Sequence, residues 1–298
     1  MTRRLSTTGR LAITFAAVAL CSLTGSAQQP PQPRPPRTVA GCPSLAPAFY
    51  TCASAKAKAF TPPRTPDGQP NLQGAWEAPM AGGLNNIEGR NPQRATTTLV
   101  VDPPDGAIPY QPWARQQKAE NVAQYIDPYY HCTPITAPRI MASLRARQIL
   151  QFSGQMTIVN ESGGHSFRVV YLDGRPHLPP DIKQWRGDSR GRWDGNTLEI
   201  ETTNLTGHGW YSQSGDFFSD VVKMTERLTL VDADTILYTI TIDDPKVVTR
   251  PWTMAFALER AKDRKYEVME EACWENEQDT PELLAVGMKM YPGPRYPK

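Results

Sequence analysis

Along the second half of the chain, apolar and polar residues alternate with a period of two, the pattern of half-buried β-strands. From Val221 one face carries Val222, Met224, Glu226, Leu228 and Leu230, and the other Lys223, Thr225, Arg227 and Thr229. Further on, Ile236, Tyr238, Ile240 and Ile242 share a face, as do Arg250, Trp252, Met254, Phe256 and Leu258. His165 falls with Phe167, Val169 and Tyr171, leaving Arg168 on the opposite side. The pattern predicts strands at Gln148–Phe152, Met156–Glu161, Ser166–Leu172, Thr197–Thr203, Val221–Val231, Ile236–Asp243, Arg250–Glu259 and Tyr266–Cys273. Turn residues separate them: Ser162-Gly163-Gly164, Asp173-Gly174, Asp194-Gly195-Asn196, Asp232-Ala233-Asp234 and Asp243-Asp244-Pro245. Sequential short strands of this kind describe an antiparallel meander. Closing it into a barrel removes the exposed edges, and a two-sheet sandwich is the alternative.

The first half reads differently. Thr97–Val101 is a short strand ended by Pro103-Pro104, Trp113–Ile126 has the helix formers and lacks the breakers, and Arg139–Arg147 is a second helical segment. Thr38–Arg94 is rich in loop residues, and Gln28–Arg37 contains only Gln, Pro and Arg, a polyproline-like tether. The predicted organisation is a tether over 28–60 followed by a single β-rich domain from 61 to 298. Proline, at 29 of 298 residues, argues for long loops and one or two helices rather than a helical protein.

The N-terminus has the form of an export signal: Arg3, Arg4 and Arg10, then an apolar run from Leu11 to Leu23, then Gly25-Ser26-Ala27 at a cleavage site. Arg3-Arg4 also opens a twin-arginine reading, so the export route stays open, but either route leads to a secreted or periplasmic protein. Removing residues 1–27 takes three Arg from 32 basic residues, leaving 29 against 30 acidic ones, a net charge of −1. With no basic excess, nucleic acid is not an expected partner. No membrane span is expected in the mature chain, and a monomer is expected. Cleavage also reduces five Cys to four, an even number suited to disulfides in an oxidising compartment. Cys42 and Cys52 bracket a short loop whose closure costs least entropy, which leaves Cys132 for Cys273. No C-x-x-C or His-x-x-His spacing marks a metal site, and no Gly-rich phosphate loop or G-x-S-x-G elbow is present, so no cofactor is implied.

Glu226 and Arg250 are the chemically informative residues, because both fall on apolar faces. Isolated charge there costs several kcal/mol, roughly, and calls for a partner. The reading that follows is a Glu226–Arg250 pair inside the barrel. Around it, Trp252, Tyr171, Tyr238 and Met254 wall a cavity for a small, partly apolar anion, with Arg250 as its orienting fork. An alternative is a cofactor-independent lyase, isomerase or hydrolase with Glu226, His165 or His177 as general base or acid. A third is an envelope structural or interaction module. Asn160-Glu161-Ser162 and Asn204-Leu205-Thr206 match glycosylation sequons.

Two resemblances bear on this. Gly74-Ala75-Trp76 resembles the G-x-W signature of the first lipocalin strand. The run from Leu172 to Asn204 is similar to a large group of secreted proteins common in soil bacteria, as are Val231 to Thr235, Thr249 to Trp252 and Glu271-Ala272-Cys273. That resemblance implies export and a single β-rich domain, and no activity, cofactor or catalytic residue. Trp274 stands where that group more usually has His, so no ligand or base is carried over to this position.

Overall fold

The computed structural model of the chain describes residues 37–89, 98–162, 166–263, 265–273 and 279–297. The export segment, residues 28–36 of the tether, His165 and Trp274 lie outside them. In chain order, β1 (Thr38–Val39) pairs with β2 (Cys42–Pro43), and α1 (Ala46–Ala59) follows. Next come β3 (Gly74–Glu77), β4 (Val100–Asp102), α2 (Pro112–Gln124) and β5 (Tyr125–Ile126). The long meander is β6 (Arg147–Phe152), β7 (Gln155–Asn160), β8 (Ser166–Tyr171), β9 (Asp188–Asp194), β10 (Thr197–Thr203), β11 (Lys223–Asp232), β12 (Thr235–Asp243) and β13 (Trp252–Arg260). Near the end, α3 (Asp279–Ala285) precedes β14 (Lys289–Met290), which pairs in parallel with β5.

Nine of these strands, β3 and β6 to β13, form a closed, lipocalin-like barrel, with β4 added outside the ring on β13. Closure occurs where β13 pairs with β12 along its length and with β3 through Glu259↔Glu77 and Arg260↔Trp76. The G-x-W residues explain why the ring closes there. Trp76 is fully buried and donates from Nε1 to the Leu72 carbonyl at 2.9 Å. Arg260 lays its guanidinium 4.2 Å from the Trp76 ring centre and donates to the Gln73 carbonyl at 2.8 Å. Gly74 sits at φ +126°, a backbone conformation that favours glycine, and a side chain there would have to displace the Arg260 guanidinium.

Both cysteine pairings form as expected, Cys42–Cys52 and Cys132–Cys273. The predicted inward faces of β11, β12 and β13 also hold: Met224, Glu226, Leu228, Ile236, Tyr238, Ile240, Trp252, Met254, Phe256 and Leu258 are all buried. The outward Ala255 and Ala257 are buried too, because α1 lies over them. This helix occupies part of the stretch read as tether. Its Ala-rich sequence, Pro47 in the first turn and Lys56 and Lys58 in the last turn favour a helix. It inserts Phe49 and Ala53 against Val231, Leu237 and Ala257, a second core on the outside of the barrel. The small alanines on both sides permit the close approach, and burying Phe49 alone stabilises by about 2–3 kcal/mol.

Three expectations on secondary structure are corrected. Arg139–Arg147 is not helical: Ile140, Met141 and Ala142 turn into the barrel end and are buried there, and Arg147 already opens β6. Tyr266–Cys273 is not a strand, since the edge of β13 that it would need is taken by β3 and β4. In its place β3 and β9 join the ring. The meander is also not purely antiparallel, because β8 and β9 run parallel, joined at Tyr171↔Arg190. Residues 172–187 must therefore return along the barrel, and Asn204 holds that return. With φ +61° it is left-handed, and its Nδ2 is shared among the carbonyls of Leu178 (3.2 Å), Pro179 (2.7 Å) and Ile182 (3.0 Å). Asn204→Ala should therefore cost about 2–3 kcal/mol in urea unfolding, from left-handed strain plus lost hydrogen bonds, and Asn204→Gly about half of that. Asn160 is buried as well, so both sequons lie in places a glycan cannot enter.

Candidate functional site

Glu226 has a buried partner, but it is not Arg250. Arg168, on β8, crosses the barrel interior and meets it with two bonds, Nη1 to Oε2 at 2.5 Å and Nη2 to Oε1 at 3.0 Å. The Tyr238 hydroxyl donates to Oε1 at 2.8 Å. Burial works against the charge of Arg168, and Glu226 outweighs it, holding the guanidinium above its ordinary value. Burial, then Glu226, raises the Tyr238 phenol well above its ordinary range. The alternation of β8 is thus the reverse of that expected: Ser166, Arg168 and Val170 point in, while Phe167 is 64% exposed. Apolar residues occupy both faces of this strand, so its pattern alone does not choose between them.

Arg250 lies just before β13 begins, on the surface, and pairs with Asp102 at 3.1 Å through both Nη atoms. Tyr171 is outside the barrel, with the guanidinium groups of Arg175 and Arg190 at 4.0 and 5.1 Å from its ring centre. Trp252, Tyr238 and Met254 do face inward, but they form no cavity wall. A side chain beside a void large enough for water exposes surface to it, yet Met254, Tyr238, Ile158, Val170, Ile200 and Leu228 are all 0% exposed. The barrel centre is packed. His177 is also outside, its Nδ1 2.8 Å from Asp188 and its Nε2 3.2 Å from Glu201, so it shares no cavity with Glu226. Among the described residues no group of His, Cys, Asp and Glu is placed to hold a metal ion.

Open space occurs instead at the barrel end where β6 begins and β7 ends. A pocket of about 260 Å³ there is lined by Tyr129, Ile135, Arg139, Ser143, Leu144 and Arg145, with Ser162, Glu271, Asn85 and Gln213 also on its wall. Its wall is built in three ways. Arg139 is buried and locked to Asp127 by two bonds of 2.8 and 2.7 Å, with its guanidinium 5.1 Å from the Tyr129 ring centre. The Cys132–Cys273 bridge fixes the chain next to both Tyr129 and Glu271, whose side chains meet at 3.2 Å. Burial, then Glu271, pushes the Tyr129 phenol up to about 12. Finally, Ser143 donates to Ser162 at 2.7 Å, joining the segments on either side of the β6–β7 pair.

The floor is basic. Arg147 is fully buried and gives its Nη2 to the carbonyls of Ser143 (2.7 Å) and Arg145 (2.8 Å). Its Nε and Nη1 have no hydrogen-bond partner among the described residues. Burial lowers it to about 10. Arg186, whose Nη1 donates to the Ile135 carbonyl at 3.3 Å, is also brought to about 10, by burial and then by the like charge of Arg168. Both remain cations at neutral pH. Arg145 differs from the others: its side chain is 66% exposed, and it touches Glu161 through Nη1 alone, at 3.2 Å, so most of its donors face outward. The site thus presents Arg145 and Ser143 beside the apolar Ile135 and Leu144.

None of these pocket residues stood out in the sequence. The cluster Arg139, Arg145 and Arg147 was visible, but no spacing rule shows that it borders a pocket, and the disulfide supplies the opposing wall from a distant part of the chain. No protein family model and no curated protein matches this chain.

Proposed function

We propose that the protein is an exported small-molecule-binding barrel whose ligand is a compact, partly apolar anion held at the barrel mouth. One observation carries this reading: the open volume beside the barrel end combines an outward-facing arginine with aliphatic and aromatic walls. Small-ligand sites usually span about 300–1,000 Å³. At about 260 Å³ the mouth pocket is at the lower edge and suits a single-ring acid rather than a long lipid. The carboxylate docks on the planar fork of Arg145 with help from Ser143, while the ring lies against Ile135, Leu144 and Tyr129. Glu271 repels the same carboxylate, which gives the ligand one orientation. Two disulfides support an oxidising destination, and no described helix is long and apolar enough to cross a membrane.

Calorimetric titration with benzoate and phenylacetate tests the proposal, with benzamide as the uncharged control. Both acids should bind and the amide should bind at least tenfold more weakly. Arg145→Ala should cost the acids about 10- to 100-fold, the worth of a charge-assisted hydrogen bond. Arg250→Met, on the far surface, should change nothing. Acids that bind Arg145→Ala as well as the parent protein, or that give no heat with the parent, defeat the reading.

A further inference from the structure

A second open site lies on the outside of the barrel, where α1 is seated to one side of the sheet. This groove is about 360 Å³, larger than the mouth pocket, and it lies between α1 and the outer faces of β10, β11 and β12. One wall is a single helix face. Tyr50, Ser54 and Lys58 follow one another at steps of four residues, a stack that spans about 12 Å along the helix. The opposite wall consists of hydroxyl groups: Thr197 and Thr229 stand abreast with their Oγ1 atoms 2.8 Å apart, and Thr239 lies one row further on. Leu237 provides an apolar floor between them.

The charge around this groove is unbalanced. Arg227 is held by Glu199 and, at 2.8 Å, by Asp194, so its charge is met. Lys58 has no acidic partner among the described residues. Arg64, at the groove's edge, spends one donor on the neutral Asn196 amide at 2.7 Å and another on the Gly68 carbonyl. Hydroxyls on one side, an aromatic ring exposed on the other, and a free ammonium about two helical turns beyond that ring do not suit a simple apolar ligand. They suit a molecule with many hydroxyls, a flat C–H face and a negative group. The tyrosine ring offers an apolar plane with a polar tip, the threonines offer donors and acceptors in rows, and the ammonium offers a point charge.

We propose that this groove binds an acidic oligosaccharide, with the face of one sugar ring on Tyr50, its hydroxyls on Thr197, Thr229 and Thr239, and a carboxylate on Lys58. The length of the helical stack accommodates more than one ring. The site is separate from the mouth pocket and stands or falls independently of it.

The probe is the trisaccharide of galacturonic acid, with neutral maltotriose as its control, titrated into the ¹⁵N-labelled full chain and followed by backbone amide shifts. The acidic sugar should shift the amides of Ser54, Lys58, Thr197 and Thr229, and maltotriose should bind at least tenfold more weakly. Lys58→Ala should erase the difference between the two sugars. Tyr50→Ala should abolish both interactions, while Tyr50→Phe, which keeps the ring, should retain them. Because Tyr50 and Lys58 are exposed, an unchanged melting temperature for each variant confirms that the fold is intact. Shifts confined to the barrel mouth, equal binding of the two sugars by the parent, or no shift with millimolar trisaccharide would each overturn the proposal.

Discussion

Arg168→Met should destabilise the protein by about 3–5 kcal/mol, because it leaves Glu226 charged and alone where no water reaches it. That is a large part of the 5–15 kcal/mol, roughly, that holds a typical domain together. The geometry makes the loss large. Glu226 is 0% exposed, both its oxygens are met by Arg168, and only Tyr238 remains to share one of them. The double variant Arg168→Met with Glu226→Leu removes both charges and should recover most of the loss, since a buried ion pair contributes little beyond an apolar pair of similar size. Tyr238→Phe, which deletes one hydrogen bond to a charged group, should cost about 1.5–3 kcal/mol. Glu226→Leu alone completes a double-mutant cycle with the parent, Arg168→Met and the double variant, and urea unfolding of these four proteins measures the coupling. An Arg168→Met protein within about 1 kcal/mol of the parent would mean that water reaches the carboxylate in the fold, contrary to its packing.

The second large effect concerns the disulfides, and the expected result is that they are unequal. Cys132 and Cys273 are separated by 141 positions, Cys42 and Cys52 by 10. In the chain-entropy description a bridge stabilises by restricting the unfolded chain, which gives about 5 kcal/mol for the long loop and about 2.7 for the short one. Replacing Cys132 and Cys273 with Ser should therefore cost about twice as much as replacing Cys42 and Cys52, read as unfolding free energy in urea, with a steeper slope because the freed unfolded chain exposes more surface. The long bridge also supports the mouth pocket, since it fixes the chain beside Tyr129 and Glu271. Its loss should weaken binding of benzoate even under conditions where the barrel remains folded. Loss of the short bridge should loosen α1 on the outside and leave the mouth intact. If the two serine pairs cost the same, unfolded-state restriction is not what these bridges contribute.

Much of the barrel could be read from residue order because period-two patterning is a local property. β11, β12 and β13 each have one face that is apolar along most of its length, interrupted on β11 by Glu226, and burial of that face fixes the register of all three. β9 escaped notice since Asp188-Ser189-Arg190-Gly191-Arg192 has no apolar side; it is a strand because β8 and β10 flank it, not because its own residues demand it. α1 was hidden among prolines for a similar reason, its weak helical signal being settled by Ala255 and Ala257 beneath it.

The candidate site divides along the same line. That a buried Glu226 must have a cationic partner follows from electrostatics and from the alternation of one strand. Which cation answers it does not. The alternation places Arg250 on the inward face and Arg168 on the outward one, and only the arrival of β8 opposite β11, through a parallel seam and a returning loop, selects Arg168. The composition of the strands determined that this chain closes a β-barrel around a charged residue and carries two bridges. Whether that barrel is hollow, where its open pockets lie and which arginine faces outward were decided by packing. Side-chain volumes summed across nine strands fill the centre, and this sum depends on long-range pairing that no local stretch of sequence contains.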